Sequence, residues 1–138
     1  MKNLLQFVVA TILLVACERK EGKDVAGCYR MVIKNDTATL SLNQAGDSVT
    51  GSLSYNWYEK DDNNGTFKGA LKNDTLIVAN YTFQSEGTTS VREVAFKIKD
   101  SSLQQGYGEI IVKNDTSFFR DVNLIIFDTK NPFTKGCE

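Results

Sequence analysis

Residues 49–57 read Val-Thr-Gly-Ser-Leu-Ser-Tyr-Asn-Trp, and this stretch decides the fold. Val49, Leu53, Tyr55 and Trp57 fall on one face together with Gly51, and every residue between them is polar. A β-strand turns successive side chains to opposite faces, so this alternation predicts a strand with one buried and one solvent-exposed face. An amphipathic helix would instead place apolar residues three and four positions apart.

The same alternation recurs along the chain, and each run ends at Asn, Asp, Gly or Ser residues that favour turns. No stretch has convincing helical periodicity. Pro132, the single proline, lies beyond the last predicted strand, where it removes no ladder hydrogen bond. The predicted strands cover residues 28–33, 37–42, 48–58, 66–71, 75–83, 89–99, 103–112 and 117–127.

Eight strands joined by short turns predict an all-β domain, a closed antiparallel up-and-down β-barrel. Closure lets each strand bury one face and leaves no exposed sheet edge. A two-sheet β-sandwich is the alternative, because strand number alone does not decide closure. With an even number of strands, the start of the first strand and the end of the last strand lie at the same end of the barrel.

The composition of the chain argues against several classes of function. The chain has 138 residues and a formal net charge of −1, with no basic stripe that would support nucleic-acid binding. It contains no histidine, which excludes Ser-His-Asp and Cys-His nucleophile systems and His-ligated metals. The acidic loop at 60–65 lacks the glycine and glutamate that an EF-hand places at positions six and twelve. We therefore predict a protein that is not an enzyme and has no cofactor or metal.

The N-terminus carries a location signal. Lys2 is followed by an apolar segment at 4–15 and by Leu-Val-Ala-Cys at 14–17, which resembles the signal peptide and lipobox of bacterial lipoproteins. As a helix the apolar segment would span about 18 Å, too short for a hydrocarbon core of about 30 Å. The resemblance implies cleavage before Cys17 and its lipidation, for example with palmitate. An ordinary signal peptide cut at a small-residue site is the alternative.

The lipobox divides the chain into a signal peptide (1–16), a lipidated cysteine with a charged tether (17–26) and a barrel domain (27–138). In enteric bacteria an Asp after the lipidated cysteine retains a lipoprotein at the inner membrane. Glu18 occupies that position here, which favours a lipid anchor in the cell outer membrane and leaves the leaflet open. The membrane is then the first predicted partner.

Two cysteines remain once Cys17 is assigned to lipid. An oxidising exported compartment favours a disulfide between Cys28 and Cys137, with two free thiols as the alternative. This bond would join the two ends of the domain, which agrees with the even strand number.

The tetrapeptide Lys-Asn-Asp-Thr occurs three times, beginning at Lys34, Lys72 and Lys113. Asn and Asp tolerate positive φ, so we predict hairpin turns, with consecutive copies at opposite ends of the barrel. Three Asp-Ser/Thr-apolar triplets also resemble an O-glycosylation acceptor pattern of exported Gram-negative proteins, and Asp-bearing turns produce such triplets by chance as well. Their hydroxyl residues are Thr37, Ser48 and Thr75.

The start of the first strand, Gly-Cys-Tyr at 27–29, faintly resembles the Gly-x-Trp opening of lipocalins, with Tyr29 in place of the tryptophan. The other lipocalin motifs have no counterpart here. The domain is closer to the small lipocalin-like barrel lipoproteins of bacterial envelopes, which include lysozyme inhibitors. No inhibitory loop motif is present, so the resemblance implies no site residue.

One charged pair is predicted inside the barrel. Arg92 shares a face with Val94 and Phe96, and a tight turn at 100–101 would set it opposite Glu109 on the next strand. The pair either satisfies itself near the rim or orients the polar head of a ligand. A one-residue slip would move Glu109 to the outer face. The candidate ligand-binding residues are Tyr55, Trp57, Arg92, Tyr107 and Glu109.

These patterns predict a non-catalytic envelope lipoprotein that binds a small apolar ligand or another envelope component. A protein–protein interaction or inhibitor module is the alternative, and a lumen filled by the chain's own side chains would favour it. The tether enters at the disulfide end, so we expect that end to face the membrane. The turns at 34–36, 59–65, 84–87 and 113–115 should then form a distal rim.

Overall fold

The computed structural model describes residues 22–138, and the predicted signal peptide and Cys17 lie outside this range. Within it, no helix is long and apolar enough to cross a membrane. A short 3₁₀ helix spans Val122–Leu124. The strands are β1 (Gly27–Ile33), β2 (Asp36–Ala45), β3 (Ser48–Asn56), β4 (Asn63–Lys72), β5 (Leu76–Ser85), β6 (Thr88–Lys99), β7 (Ser102–Tyr107), β8 (Ile110–Lys113), β9 (Thr116–Phe119), β10 (Ile126–Phe127) and β11 (Phe133–Lys135).

The predicted eight-stranded barrel is confirmed. Strands β1 to β7 are consecutive antiparallel neighbours, and β11 pairs with both β7 and β1 to close the cylinder. Sequential antiparallel neighbours define an up-and-down barrel, so the sandwich alternative is excluded. Strands β8, β9 and β10 lie outside the closed wall.

The identity of the eighth barrel strand was predicted incorrectly. Residues 117–127 do not close the barrel; they contain most of β9, the 3₁₀ helix and β10. The closing strand is β11, which begins directly after Pro132, so the prediction that Pro132 lies beyond the last strand is wrong. Strand β11 has three residues and one apolar side chain, Phe133, and a period of two cannot be recognised in so short a run.

The core follows the alternation of residues 49–57. Val49, Leu53 and Tyr55 are at most 2% exposed, and Trp57 packs against them from the edge. Gly51 is required by close packing, because a Cβ there would collide with the Ser41 backbone carbonyl and with the Phe67 ring. The barrel interior is filled mainly by large side chains. The largest of the fully buried ones are Tyr55, Tyr81, Phe96, Phe133, Leu40, Leu53, Ile77 and Leu103.

The Cys28–Cys137 disulfide is confirmed, with the two Cα atoms 5.7 Å apart. It joins the start of β1 to the residues after β11, as the even number of barrel strands requires. We call this the disulfide end. Val25 is 2% exposed and packs in the core, so packing begins inside the segment predicted to be tether.

The repeated Lys-Asn-Asp-Thr segments form the predicted hairpin turns. Asn73 and Asp74 have φ of 51° and 55°, and the third copy has the same left-handed pair, whereas Lys34 takes positive φ in the first copy. The second copy lies at the disulfide end. The first and third lie at the opposite end, which we call the open end. The turns predicted to form the distal rim all lie at the open end.

Candidate functional site

The barrel wall separates between β6 and β7. These strands are paired from Lys99–Ser102 to Phe96–Gln105, and no further toward the open end. Beyond that point β7 pairs with β10, while β6 pairs with β9 in parallel at Arg92 and Ser117. Beyond Gln105, both strands therefore have neighbours from the segment 108–128, which we call the insertion.

The insertion packs against the outside of the wall. Phe119 and Ile125 form a second apolar cluster with Ala95, whose side chain points out of the barrel from β6. Gly106 lets the insertion pack closely over β7, because a Cβ there would collide with the Ile125 side chain.

A cleft of about 380 Å³ lies where the strands separate. This volume falls within the range of about 300–1,000 Å³ of small-molecule sites. Buried residues form its deep part, since Tyr55 is 2% and Gln105 is 6% exposed, and Tyr107 and Ile110 lie at its mouth, half-exposed. The lining comprises Tyr55, Trp57, Arg92, Glu93, Val94, Gln105, Gly106, Tyr107, Gly108, Ile110, Ser117 and Phe119.

Four of the five predicted ligand-binding residues line this cleft: Tyr55, Trp57, Arg92 and Tyr107. Glu109 does not. Its carboxylate pairs with Arg120 on the surface, with Oε1 3.1 Å from Nε. The predicted internal Arg92–Glu109 pair is therefore wrong.

The error in the predicted pair has a local cause. The predicted register holds from Lys99–Ser102 to Phe96–Gln105, as the tight turn at 100–101 requires. Its extension to Val94–Tyr107 and Arg92–Glu109 fails because β7 leaves β6 after Gln105. From Gly106 onward, the partner of β7 is β10.

Arg92 projects among aromatic rings. Its guanidinium carbon lies 5.8 Å from the ring centroids of Tyr55 and Tyr81 and 5.2 Å from that of Phe83. Cation–π contacts of this kind contribute about 0.5–2 kcal/mol each, more when water is excluded. Within residues 22–138, Arg92 forms no ion pair, and its buried Nε has no hydrogen-bond partner.

Three buried side-chain polar atoms of the described chain lack a hydrogen-bond partner: Tyr55 Oη, Arg92 Nε and Gln105 Oε1. All three belong to residues that line the cleft. Leaving such an atom unpaired costs about 1–3 kcal/mol. The buried Tyr29 and Tyr81 hydroxyls, in contrast, each donate to a backbone carbonyl at 2.7 Å, those of Val25 and Leu53. The incomplete polar groups are therefore concentrated at one place.

The tyrosines around Arg92 resist ionisation. Burial raises the pKa of Tyr55, although the nearby charge of Arg92 and the adjacent Gln105 amide oppose that rise. Burial raises the pKa of Tyr81 to about 12, and Arg92 again opposes the shift. Burial and the charge of Asp128 raise the pKa of Tyr107. At neutral pH these hydroxyls stay protonated and act as hydrogen-bond donors.

Gln105, Glu93 and Phe119 are cleft residues that were not predicted. Gln105 is the one buried polar residue of the described chain, and the alternation Leu103, Gln105, Tyr107 placed it inward. Glu93 connects the insertion to the barrel, because its Oε1 accepts a hydrogen bond of 3.2 Å from the Phe119 N–H. No local pattern predicts this contact.

Comparison with protein-family models, with curated proteins and with solved structures finds no match to this chain. Its function is therefore argued from the cleft.

Proposed function

We propose that the protein is a non-catalytic lipoprotein of the bacterial cell envelope, and that it binds a small, largely apolar ligand in the cleft between β6 and β7. The observation that carries the proposal is the convergence of three unpaired buried polar atoms on one cleft. Folded proteins pair nearly all such atoms. A bound molecule that completes their hydrogen bonds gives a physical reason to keep them.

The barrel architecture supports a lateral site rather than a central one. The interior is filled by the chain's own side chains, as in many eight-stranded barrels. Space is found instead where the wall separates. Trp57, Val94 and Phe119 supply apolar surface there, while the protonated tyrosines supply donors rather than a general base. This combination suits binding.

The lipobox and the disulfide support the proposed location. The disulfide is typical of an exported protein, and Cys17 would fix the chain to the outer membrane through lipid. The tether reaches the barrel at the disulfide end. The cleft would then open on the side of the barrel that faces away from the membrane.

A second candidate function, protein–protein interaction, is favoured by the filled barrel interior and by the surface of the insertion. Strands β8 and β10 are the two edges of the sheet in the described chain. Apolar side chains stand exposed along this surface, and an exposed apolar edge can pair with another protein. They are Ile110 (45%), Val112 (68%), Leu124 (74%) and Ile126 (77%).

Native mass spectrometry of the protein purified from its own host tests the ligand-binding function. We expect a small-molecule adduct on the wild type that is lost in Ser117→Trp, which places an indole in the cleft. Ser52→Trp is the matched control, because Ser52 lies exposed on the outer face of β3. A co-purifying protein without a small-molecule adduct would favour the interaction module. Wild type with neither would contradict both functions.

Labelling with radioactive palmitate tests the anchor in the same cells. Wild type should incorporate the label and Cys17→Ser should not. Equal labelling of the two proteins would rule out a lipid on Cys17.

A further inference from the structure

We infer that the cleft selects a ligand with a single negative charge, a carboxylate joined to an apolar body, and that Arg92 recognises the charge. This inference rests on the proposed ligand-binding function and names the chemical class of the ligand.

The first argument is charge. A guanidinium keeps its proton at any physiological pH. The one ion pair within residues 22–138 joins Arg120 to Glu109 and leaves Arg92 without a counter-ion. Glu93 also lines the cleft, but its carboxylate is engaged by the Phe119 N–H. Arg92, which has no carboxylate within ion-pair distance, can pair with one anionic group, whereas the Glu93 carboxylate in the same cleft would disfavour a dianion.

The second argument is the count of hydrogen bonds. Arg92 Nε and the Tyr55 hydroxyl can each donate one, whereas the unpaired Gln105 Oε1 is an acceptor. A carboxylate accepts up to about four hydrogen bonds through its two oxygens, enough for both donors, and its charge strengthens the hydrogen bond from the guanidinium.

The third argument is the order of groups along the cleft. The unpaired atoms belong to its deep residues, whereas Ile110 and Tyr107 at the mouth are 45% and 53% exposed. A ligand would therefore enter with the carboxylate first and leave its apolar part against Trp57, Phe119 and Ile110. An amphipathic monocarboxylate fits this order.

Isothermal titration calorimetry tests the inference with three probes that share a ten-carbon chain. The probes are decanoate, decan-1-ol and decyl phosphate. Residues 22–138 contain all the barrel strands and the disulfide, so they are titrated without the lipid, at pH 8. We expect decanoate to bind at least tenfold more tightly than decan-1-ol. Arg92→Met should remove that difference, and Arg92→Lys, which keeps the charge, should retain part of it.

Arg30→Met is the matched control. It makes the same substitution on β1, where Arg30 Nη1 contacts the Glu138 carbonyl 3.1 Å away at the surface. It should not change the affinity for either probe. Tyr55→Phe gives a second test that keeps the Arg92 charge. We expect it to lower the affinity for decanoate at least threefold without changing the affinity for decan-1-ol.

Two outcomes overturn the inference and leave the proposed function intact. The first is equal affinity for decanoate and decan-1-ol, or a preference that survives Arg92→Met. The second is tighter binding of decyl phosphate than of decanoate. Absence of decanoate binding overturns the inference as well. The adduct lost in Ser117→Trp then decides the proposed function separately.

Discussion

The two ends of this barrel are built from the same alternating strands, yet they differ in how completely they are paired. At the disulfide end β6, β7, β11 and β1 are hydrogen-bonded in succession, and the Tyr29 hydroxyl is satisfied by Val25. At the open end β6 and β7 have separated, and three polar side-chain atoms have no partner. The disulfide end is therefore fully paired, whereas the open end has unpaired polar groups that the proposed ligand would complete.

The unpaired polar atoms at the open end carry a free-energy cost that is large compared with the stability of a whole domain. A domain is stable by about 5–15 kcal/mol in total. Three unpaired polar atoms at about 1–3 kcal/mol each would use much of that margin. Such a cluster persists where the rest of the fold compensates for it, and the disulfide and the filled core do so here.

The largest effect is expected at the disulfide end. In the chain-entropy model, a bond across a sequence separation of 109 residues stabilises by about 4–5 kcal/mol. Replacing both Cys28 and Cys137 by Ser should lower the free energy of unfolding by about that amount in urea denaturation, and reduction of the wild type should match it. Affinity for the cleft ligand should be unchanged in the folded variant. A loss below about 1 kcal/mol would show that the pairing of β11 alone holds this end closed.

A smaller effect separates the closing strand from the insertion. Phe133 is fully buried, and its ring centroid lies 5.7 Å from that of Phe96. Phe133→Ala should cost about 3–5 kcal/mol in urea denaturation, because it leaves a cavity in the core. Phe119→Ala should lower the free energy of unfolding clearly less, since Phe119 packs in the outer cluster. It should, however, weaken binding of the proposed ligand, because Phe119 lines the cleft. Equal losses of stability would mean that the insertion is part of the cooperative core.

The sequence predicted what local periodicity and turn chemistry control. Six barrel strands, the positive-φ hairpins and the β6–β7 register next to the turn at 100–101 all follow from neighbouring residues, whereas the predicted strand 103–112 runs past the end of β7 into β8. The disulfide was predicted from the even number of barrel strands and from the oxidising conditions expected for an exported protein. Strand β11 and the parallel pairing of β9 with β6 did not, because they depend on contacts between segments far apart in the chain.

The site shows the same division. Period two placed Arg92, Tyr55 and Trp57 on the inner face, and all three line the cleft. The predicted partner of Arg92, Glu109, was wrong because β7 leaves β6 after Gln105. The alternation of apolar and polar residues within a strand does not reveal which strand lies beside it. The change at Gly106 is visible only in three dimensions, where Ile125 and Phe127 pack against the bare backbone.

The smallest and sharpest difference is expected between two tyrosines that both face Arg92. The Tyr81 hydroxyl donates to the Leu53 carbonyl at 2.7 Å, whereas the buried Tyr55 hydroxyl has no partner within residues 22–138. Each Phe substitution keeps the ring beside the guanidinium, so the two variants differ in one hydrogen bond.

Tyr81→Phe should lower the free energy of unfolding by about 1 kcal/mol, the usual net contribution of a hydrogen bond. Tyr55→Phe should leave it unchanged or raise it by up to about 1 kcal/mol, because a buried unpaired oxygen is removed. Urea denaturation of the ligand-free proteins measures both. With saturating decanoate the gap between the two variants should narrow, because bound ligand stabilises by RT ln(1 + [L]/Kd) and a threefold weaker affinity removes about 0.6 kcal/mol of that from Tyr55→Phe. If Tyr55→Phe loses as much stability as Tyr81→Phe without ligand, then the Tyr55 hydroxyl is already paired in the free protein. The open end would then not differ from the disulfide end in the way proposed.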